Sequence, residues 1–277
     1  MIQAHLNIFR RVREQVRDDF LIVINTNRSK ATRFAEYVNG TFMETGADDL
    51  GGNPGGYTRD GLVEIEDTLT WSEKNLRSPQ INCLEGWGIP TEPPDGPNNR
   101  RWMRVFTTMS LTLSDGYVMY NTGTGVFRLP DPPDYGWPRE PGHEHIWYSF
   151  WDANLGRPIG QKAQSYQNVE GLFIREFTNG WAVYNRSGQT QTISLPESAT
   201  AVGNGDLRST TTHLLPDLDG EIYLKRRSLA DVNRDGKVNV LDLIEVQNGF
   251  GKTEPDPNGD GAVNILDLVF VAQQFSQ

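Results

Sequence analysis

Apolar positions in the first 121 residues follow two alternating patterns. Residues 5–20, 31–37, 62–76 and 99–113 repeat apolar side chains every three to four positions, the period of a helix with one buried face. Short, nearly continuous apolar runs at 21–25, 40–44, 80–85 and 116–121 lie between them and read as strands buried on both faces. Helix and strand taking turns in this way predict a parallel sheet covered by helices, an α/β architecture. A closed (β/α)8 barrel takes about 250 residues, so four strands over this length could be the second half of one and cannot be a whole one. A glycine-rich loop at 50–57 and a proline-rich loop at 90–97 separate the elements.

Beyond residue 160 the period shortens to two. Residues 172–177 and 181–185 flank Thr178-Asn179-Gly180, and Asn-Gly adopts the left-handed turn that a tight hairpin needs. Residues 191–195 and 221–225 supply further strands, and 210–215 a third, so residues 161–227 are expected to fold as a small antiparallel β-sandwich.

The last 48 residues carry an internal repeat. Asp231, Asn233, Asp235, Gly236, Asn239 and Asp242 recur 25 residues later as Asp256, Asn258, Asp260, Gly261, Asn264 and Asp267. Oxygen-bearing side chains at positions 1, 3, 5, 9 and 12, with glycine at 6 and a backbone carbonyl at 7 (Lys237 and Ala262), form the ligand pattern of a calcium loop. Two ions are expected. Each loop leads into a matching apolar stripe: Val240, Leu241, Leu243, Ile244, Val246 and Phe250, then Ile265, Leu266, Leu268, Val269, Val271 and Phe275. Each stripe reads as one helix, and a module this small depends on its metals for a stable core. The chain thus divides into 1–160, a partial α/β barrel, 161–227, the β-sandwich, and 230–277, an all-α calcium-binding module.

Composition narrows the partners. With 26 Lys and Arg against 36 Asp and Glu, a net charge of −10 disfavours a phosphate backbone, so nucleic acid is not an expected partner. No apolar run reaches the ~20 residues of a membrane span, and residues 1–20, with Arg10, Arg11, Arg13, Glu14, Arg17, Asp18 and Asp19, lack the apolar centre of a secretory signal. The single Cys83 rules out an internal disulfide and a cysteine-rich zinc site.

Polar residues end each predicted strand of the first region: Asn25, Glu44, Glu85 and Asn121. In barrels the C-terminal strand ends form the active-site face, and a pair of carboxylates there is what glycoside hydrolysis requires. Glu44 and Glu85 are therefore the candidate catalytic residues, with Trp71, Trp87 and Trp102 as faces on which a sugar ring could stack. The competing reading of such residues is ordinary: a carboxylate capping the next helix, a tryptophan filling a core. His143-Glu144-His145 follows a proline-rich stretch and reads as a solvated turn rather than a metal site, and no Ser/His/Asp triad can be assembled from His5, His143, His145 and His213.

Residues 230–277 resemble a type I dockerin, the family in which Asp closes the calcium loop. The resemblance implies an extracellular or cell-surface protein with a cohesin-like partner. Family recognition residues at loop positions 10 and 11 fall on Val240, Leu241, Ile265 and Leu266, whose apolar character equally suits internal packing. Arg175-Glu-Phe-Thr-Asn-Gly-Trp-Ala-Val-Tyr-Asn-Arg-Ser187, followed by a strand ending Leu195-Pro196, resembles the β-sandwich that follows the barrel in many glycoside hydrolases, where it buttresses the barrel and leaves no chemistry to Arg175, Glu176 or Asn185. The order of helix, Asn-ended strand and Glu-ended strand, followed by Trp147-Tyr-Ser-Phe-Trp-Asp-Ala-Asn-Leu-Gly-Arg-Pro-Ile-Gly160, resembles the C-terminal portion of bacterial glycosyl hydrolases. That resemblance implies the C-terminal half of a (β/α)8 barrel and hydrolysis of O-glycosyl bonds in a poly- or oligosaccharide, with the first four barrel strands absent from this chain and Met1 an artificial start. The alternative is a non-catalytic assembly or carbohydrate-binding protein with a doubly wound α/β domain.

Overall fold

The computed structural model describes residues 2–46, 57–89, 92–121, 146–203, 205, 208–225, 228–233 and 235–275. His143, Glu144, His145, residues 50–56 of the glycine-rich loop and residues 90–91 of the proline-rich loop lie outside them.

Helix α1 (Ile2–Gln15) precedes four strands, β1 (Val23–Asn25), β2 (Gly40–Thr45), β3 (Cys83–Trp87) and β4 (Tyr117–Asn121), which pair in parallel and in chain order. Helices α2 (Arg59–Asn75) and α3 (Pro97–Leu113) cross between β2 and β3 and between β3 and β4. Thr58 caps α2 through a hydrogen bond from Gly61 N, and Pro97 starts α3, where its missing N–H is no loss. Met43, Leu84 and Tyr120 alternate onto the helix side and pack with Leu62, Ile65 and Leu69 of α2 and Phe106 and Met109 of α3. A Cβ on Gly86 would lie 2.5 Å from the Phe106 ring, so glycine lets α3 settle directly on β3.

One expected helix is not formed. Residues 32–37 are successive turns, with Phe34 N bonded to Ala31 O and Tyr37 N to Phe34 O. Seven residues are too few to repay helix nucleation. Their apolar positions serve a small cluster instead, in which Ala31, Val38 and Leu76 pack with Phe9 and Trp71.

The antiparallel region also differs from expectation. Strands β5 (Leu172–Phe177), β6 (Gly180–Asn185), β7 (Gln191–Ala201), β8 (Ser209–Leu215) and β9 (Asp219–Lys225) form one five-stranded sheet in the order β5-β6-β9-β7-β8, not a stacked pair of sheets among the described residues. The reason lies in β7. A register shift between Ser194 and Ala199 lets its first half pair with β8 and its last residues with both β8 and β9. Ile193 and Leu195 then pack with Trp181, Val183 and Tyr223, so the sheet covers its own face. Its other face joins the α/β core, where Phe177, Ala182, Tyr184 and Ile222 meet α3.

Buried ion pairs fasten the two sheets together. Glu66 of α2 accepts from Arg186 Nε and Nη2 at 2.5 and 2.7 Å and from Tyr184 Oη at 2.9 Å. Arg104 of α3 makes a two-pronged pair with Asp219. Arg175, 5% exposed, donates to the carbonyls of Leu111 and Ser114 and to Asp115.

The C-terminal module holds α4 (Val240–Asn248) and α5 (Ile265–Ala272) over a core of Ala230, Val246, Val263 and Val271.

Candidate functional site: a carboxylate face and two oxygen-lined loops

Because Met43, Leu84 and Tyr120 face the helices, their neighbours Glu44, Glu85 and Met119 point to the opposite side of the parallel sheet. Glu44 is the register partner of Glu85, and Glu85 of Met119. Neighbouring strands run about 4.8 Å apart, so the two carboxylates stand side by side. All four polar strand-end residues share this face. Asn25 Nδ2 donates to Glu44 Oε2 at 2.6 Å, and Asn121, paired with Trp87, lies one rung beyond Glu85.

The two carboxylates differ in surroundings. Glu44 is half-buried and hydrogen-bonded; Glu85 is 3% exposed. Burial, with a smaller contribution from the charge of Glu44, pushes the Glu85 carboxyl up to about 7, so it holds its proton near neutrality. Cys83, on the same face, is pushed up to about 11 by burial and by Glu85, which keeps it a thiol.

Of the three tryptophans, only Trp87 flanks the pair. Trp102 is 2% exposed within the helix-side core, and Trp71 packs in the cluster around Ala31, because both helices turn those positions inward. Sequence reasoning missed Tyr57. Its ring packs against Trp102 and Phe106, and its hydroxyl donates to Thr45 O at 2.5 Å and accepts from Trp87 N at 2.7 Å. It therefore ties together the C-terminal ends of the two carboxylate-bearing strands from beneath. A tyrosine at the end of a glycine-rich loop gives no sequence signal for such a role. Neither His213 nor any other described histidine approaches the face; His213 packs on Tyr223 with Nε2 2.9 Å from Thr210 O.

The repeated loops are near copies in their bonding. Asp231 Oδ2 accepts from Gly236 N, and Asp256 Oδ2 from Gly261 N, at 3.1 and 2.7 Å. Asp242 and Asp267 are fully buried; one oxygen of each accepts from Asn233 N or Asn258 N, the other from Asn239 N or Asn264 N. Asn239 and Asn264 cap α4 and α5 by accepting from Leu241 N and Leu266 N. Asn-x-x-Asp is a capping box, a signal present in the sequence but masked by its reading as ligands alone. Their amide oxygens thus serve the helices, and position 9 reaches an ion in such loops through water.

In the second loop ligand oxygens of Asp256, Asp260 and Asp267 lie within 4.8 Å of one another. Two fully buried carboxylates, Asp242 and Asp267, have no basic partner among the described residues. Each accepts two backbone N–H bonds, and the all-oxygen set around it suits a hard divalent cation. Val240, Leu241, Ile265 and Leu266, at the first turns of α4 and α5, are 50–60% exposed, which decides against internal packing for all four.

Comparison with known proteins adds the following. No curated protein matches the chain. Among solved structures, it is similar to an alpha-amylase from Geobacillus thermoleovorans complexed with acarbose, at 13% identity and a TM-score of 0.37, covering 80% of this chain and 56% of that one. It is also similar to the maltogenic alpha-amylase AmyB from Thermotoga neapolitana, at 15% identity and a TM-score of 0.40, covering 80% and 59%. The chain thus spans under two thirds of either structure. Residues 229–276 match the dockerin type I domain family, and this C-terminal module, with its paired capped helices and repeated loops, is a type I dockerin.

Proposed function

We propose that the chain is part of an extracellular glycoside hydrolase that cleaves O-glycosyl bonds of a poly- or oligosaccharide and is anchored to a cohesin partner by its dockerin. The observation that carries the enzymatic half is the pairing of Glu44 with Glu85 on the sheet face opposite the helices, with Glu85 protonated near neutrality. The unbroken chain order of the parallel strands supports a barrel-type progression over a doubly wound sheet, in which the order reverses.

In this reading Glu85 donates its proton to the leaving glycosidic oxygen. Glu44, oriented by the Asn25 amide, attacks the anomeric carbon from the next strand as the bond to the leaving oxygen breaks, and water, giving its proton to the Glu85 carboxylate, then attacks the same carbon and frees Glu44. Side-by-side placement favours the short carboxylate spacing of about 5 Å that goes with retention of configuration. Trp87 offers a ring face to the sugar beside the cleaved bond.

Asp231, Asn233, Asp235, the Lys237 carbonyl, Asn239 and Asp242 would hold one calcium ion, and Asp256, Asn258, Asp260, the Ala262 carbonyl, Asn264 and Asp267 a second. Bound calcium would neutralise the buried aspartates and fix the loops that lead into α4 and α5. The exposed Val240, Leu241, Ile265 and Leu266 then form an apolar surface for cohesin.

The test pairs release of reducing sugar from soluble glucans, xylans and mannans with Glu85→Gln and Glu44→Gln. Release that both substitutions abolish, with the fold intact by circular dichroism, supports the enzyme; no release from the unsubstituted chain, together with cohesin binding, supports a non-catalytic assembly protein.

A further inference from the structure

The two loops of the dockerin are alike in sequence but not in surroundings. Gly236 and Gly261 hold the same place in their loops with nearly the same left-handed backbone, φ +86° and +92°. A Cβ on Gly236 would lie 2.9 Å from Asn179 Oδ1, whereas one on Gly261 would meet nothing within 4 Å. Asp231 is buried, while its counterpart Asp256 is only half-buried. The first loop therefore lies against the β5–β6 turn of the chain's own antiparallel sheet, and the second stands in solvent.

The turn is a fixed seat. Asn179 Nδ2 donates to Asn154 O at 3.1 Å, Lys225 N donates to Asn179 O at 2.9 Å, and Arg157 N donates to Thr178 Oγ1 at 3.1 Å. A cleft of about 570 Å³ opens beside this contact, lined by Asn154, Asn179 and Glu197 of the sheet region and by Asp231, Gly236 and Val238 of the dockerin.

We infer that calcium loading of the first loop and seating of the dockerin on the β5–β6 turn are one coupled equilibrium, so that the ion fixes the orientation in which the dockerin is held. The inference rests on the calcium reading above. Four small buried side chains, Ala230, Val246, Val263 and Val271, are too little core to hold the loop in shape without its ion. The surface that meets Asn179 is the loop backbone itself, with Gly236 in its left-handed conformation, so it exists only when the loop is ordered. Linkage is reciprocal: if the ion promotes seating, seating tightens the ion. Among the described residues nothing comes within 4 Å of a Cβ placed on Gly261, so the second loop binds its ion without this contribution.

The test is calorimetric calcium titration of the full chain, with small-angle scattering at saturating calcium and in chelator. Asn179→Phe lies outside both loops, adds no charge and is too large for the gap. It is expected to weaken one of the two calcium sites by about fivefold or more, leave the other unchanged and enlarge the radius of gyration. Gly236→Ala and Gly261→Ala impose the same backbone strain, so the first is expected to lose more affinity at its own site than the second, and it alone enlarges the particle. Unchanged affinities in Asn179→Phe, or equal losses in the two alanine variants, would overturn the coupling while leaving the calcium reading intact. If neither loop of the unsubstituted chain takes up calcium, both readings fall.

Discussion

Glu44 and Glu85 are direct partners across two parallel strands, yet one accepts the Asn25 amide at 2.6 Å while the other is 3% exposed. Burial keeps the proton on Glu85, and that is what an acid role requires.

A pH dependence follows from Glu85. With its carboxyl pushed up to about 7, activity that needs it protonated should fall as pH rises through that value, giving a basic limb in kcat/KM near 7. Stability should move the same way. The folded state binds this proton more tightly than the unfolded chain does, so the folded state loses ground as pH rises from the ordinary carboxyl value of 4.5 to about 7. Glu221, also pushed up to about 7 by burial, contributes a like slope. Glu85→Gln should remove one share of that slope and leave the other, as read by thermal melts at pH 5 and 8.

Tyr57→Phe keeps the ring against Trp102 and Phe106 but takes the hydroxyl from Thr45 O and Trp87 N. A buried backbone N–H left without this acceptor should cost about 1–3 kcal/mol in denaturant melts. If the tyrosine also sets the carboxylate strands, kcat should fall with little change in KM.

Arg186→Met should destabilise the chain by about 3–5 kcal/mol, because it leaves the buried Glu66 carboxylate with only Tyr184. Glu66→Gln, which keeps an acceptor for Tyr184 and removes the charge, should cost less. Equal losses in chemical denaturation would contradict the pairing as drawn.

Asp242→Ala together with Asp267→Ala should abolish calcium-dependent protease resistance of the dockerin while the two sheets stay folded. Each aspartate caps a helix as well as closing a loop, so helical signal from α4 and α5 should fall even in saturating calcium.

The legible parts of this protein were those written in local pattern. Parallel strands appeared as apolar runs and the dockerin as a repeat in which every ligand position matched; the hairpin formed where Thr178-Asn179-Gly180 stands, but its turn residues are Thr178 and Asn179, Gly180 already pairs with Phe177, and neither Asn179 nor Gly180 is left-handed. Failures came where distant contacts decide. Residues 31–37 have a helical period, yet Val38 and Ala31 are claimed by a cluster with Phe9 and Leu76, and the segment turns instead. The self-covering of the antiparallel sheet depends on the register shift in β7, which no alternation pattern reveals. At the candidate site the strand-end carboxylates were readable, but their pairing depended on strand register, and the Asn25 and Tyr57 contacts on three-dimensional proximity between separate elements.

The most direct measurement of the central claim is release of reducing ends from a polysaccharide panel by the full chain, compared with Glu85→Gln and Glu44→Gln at pH 6. Release should fall at least about a hundredfold in both variants, the scale of a lost acid or nucleophile. Release that survives either substitution, or its absence from the unsubstituted chain on every substrate, would contradict it.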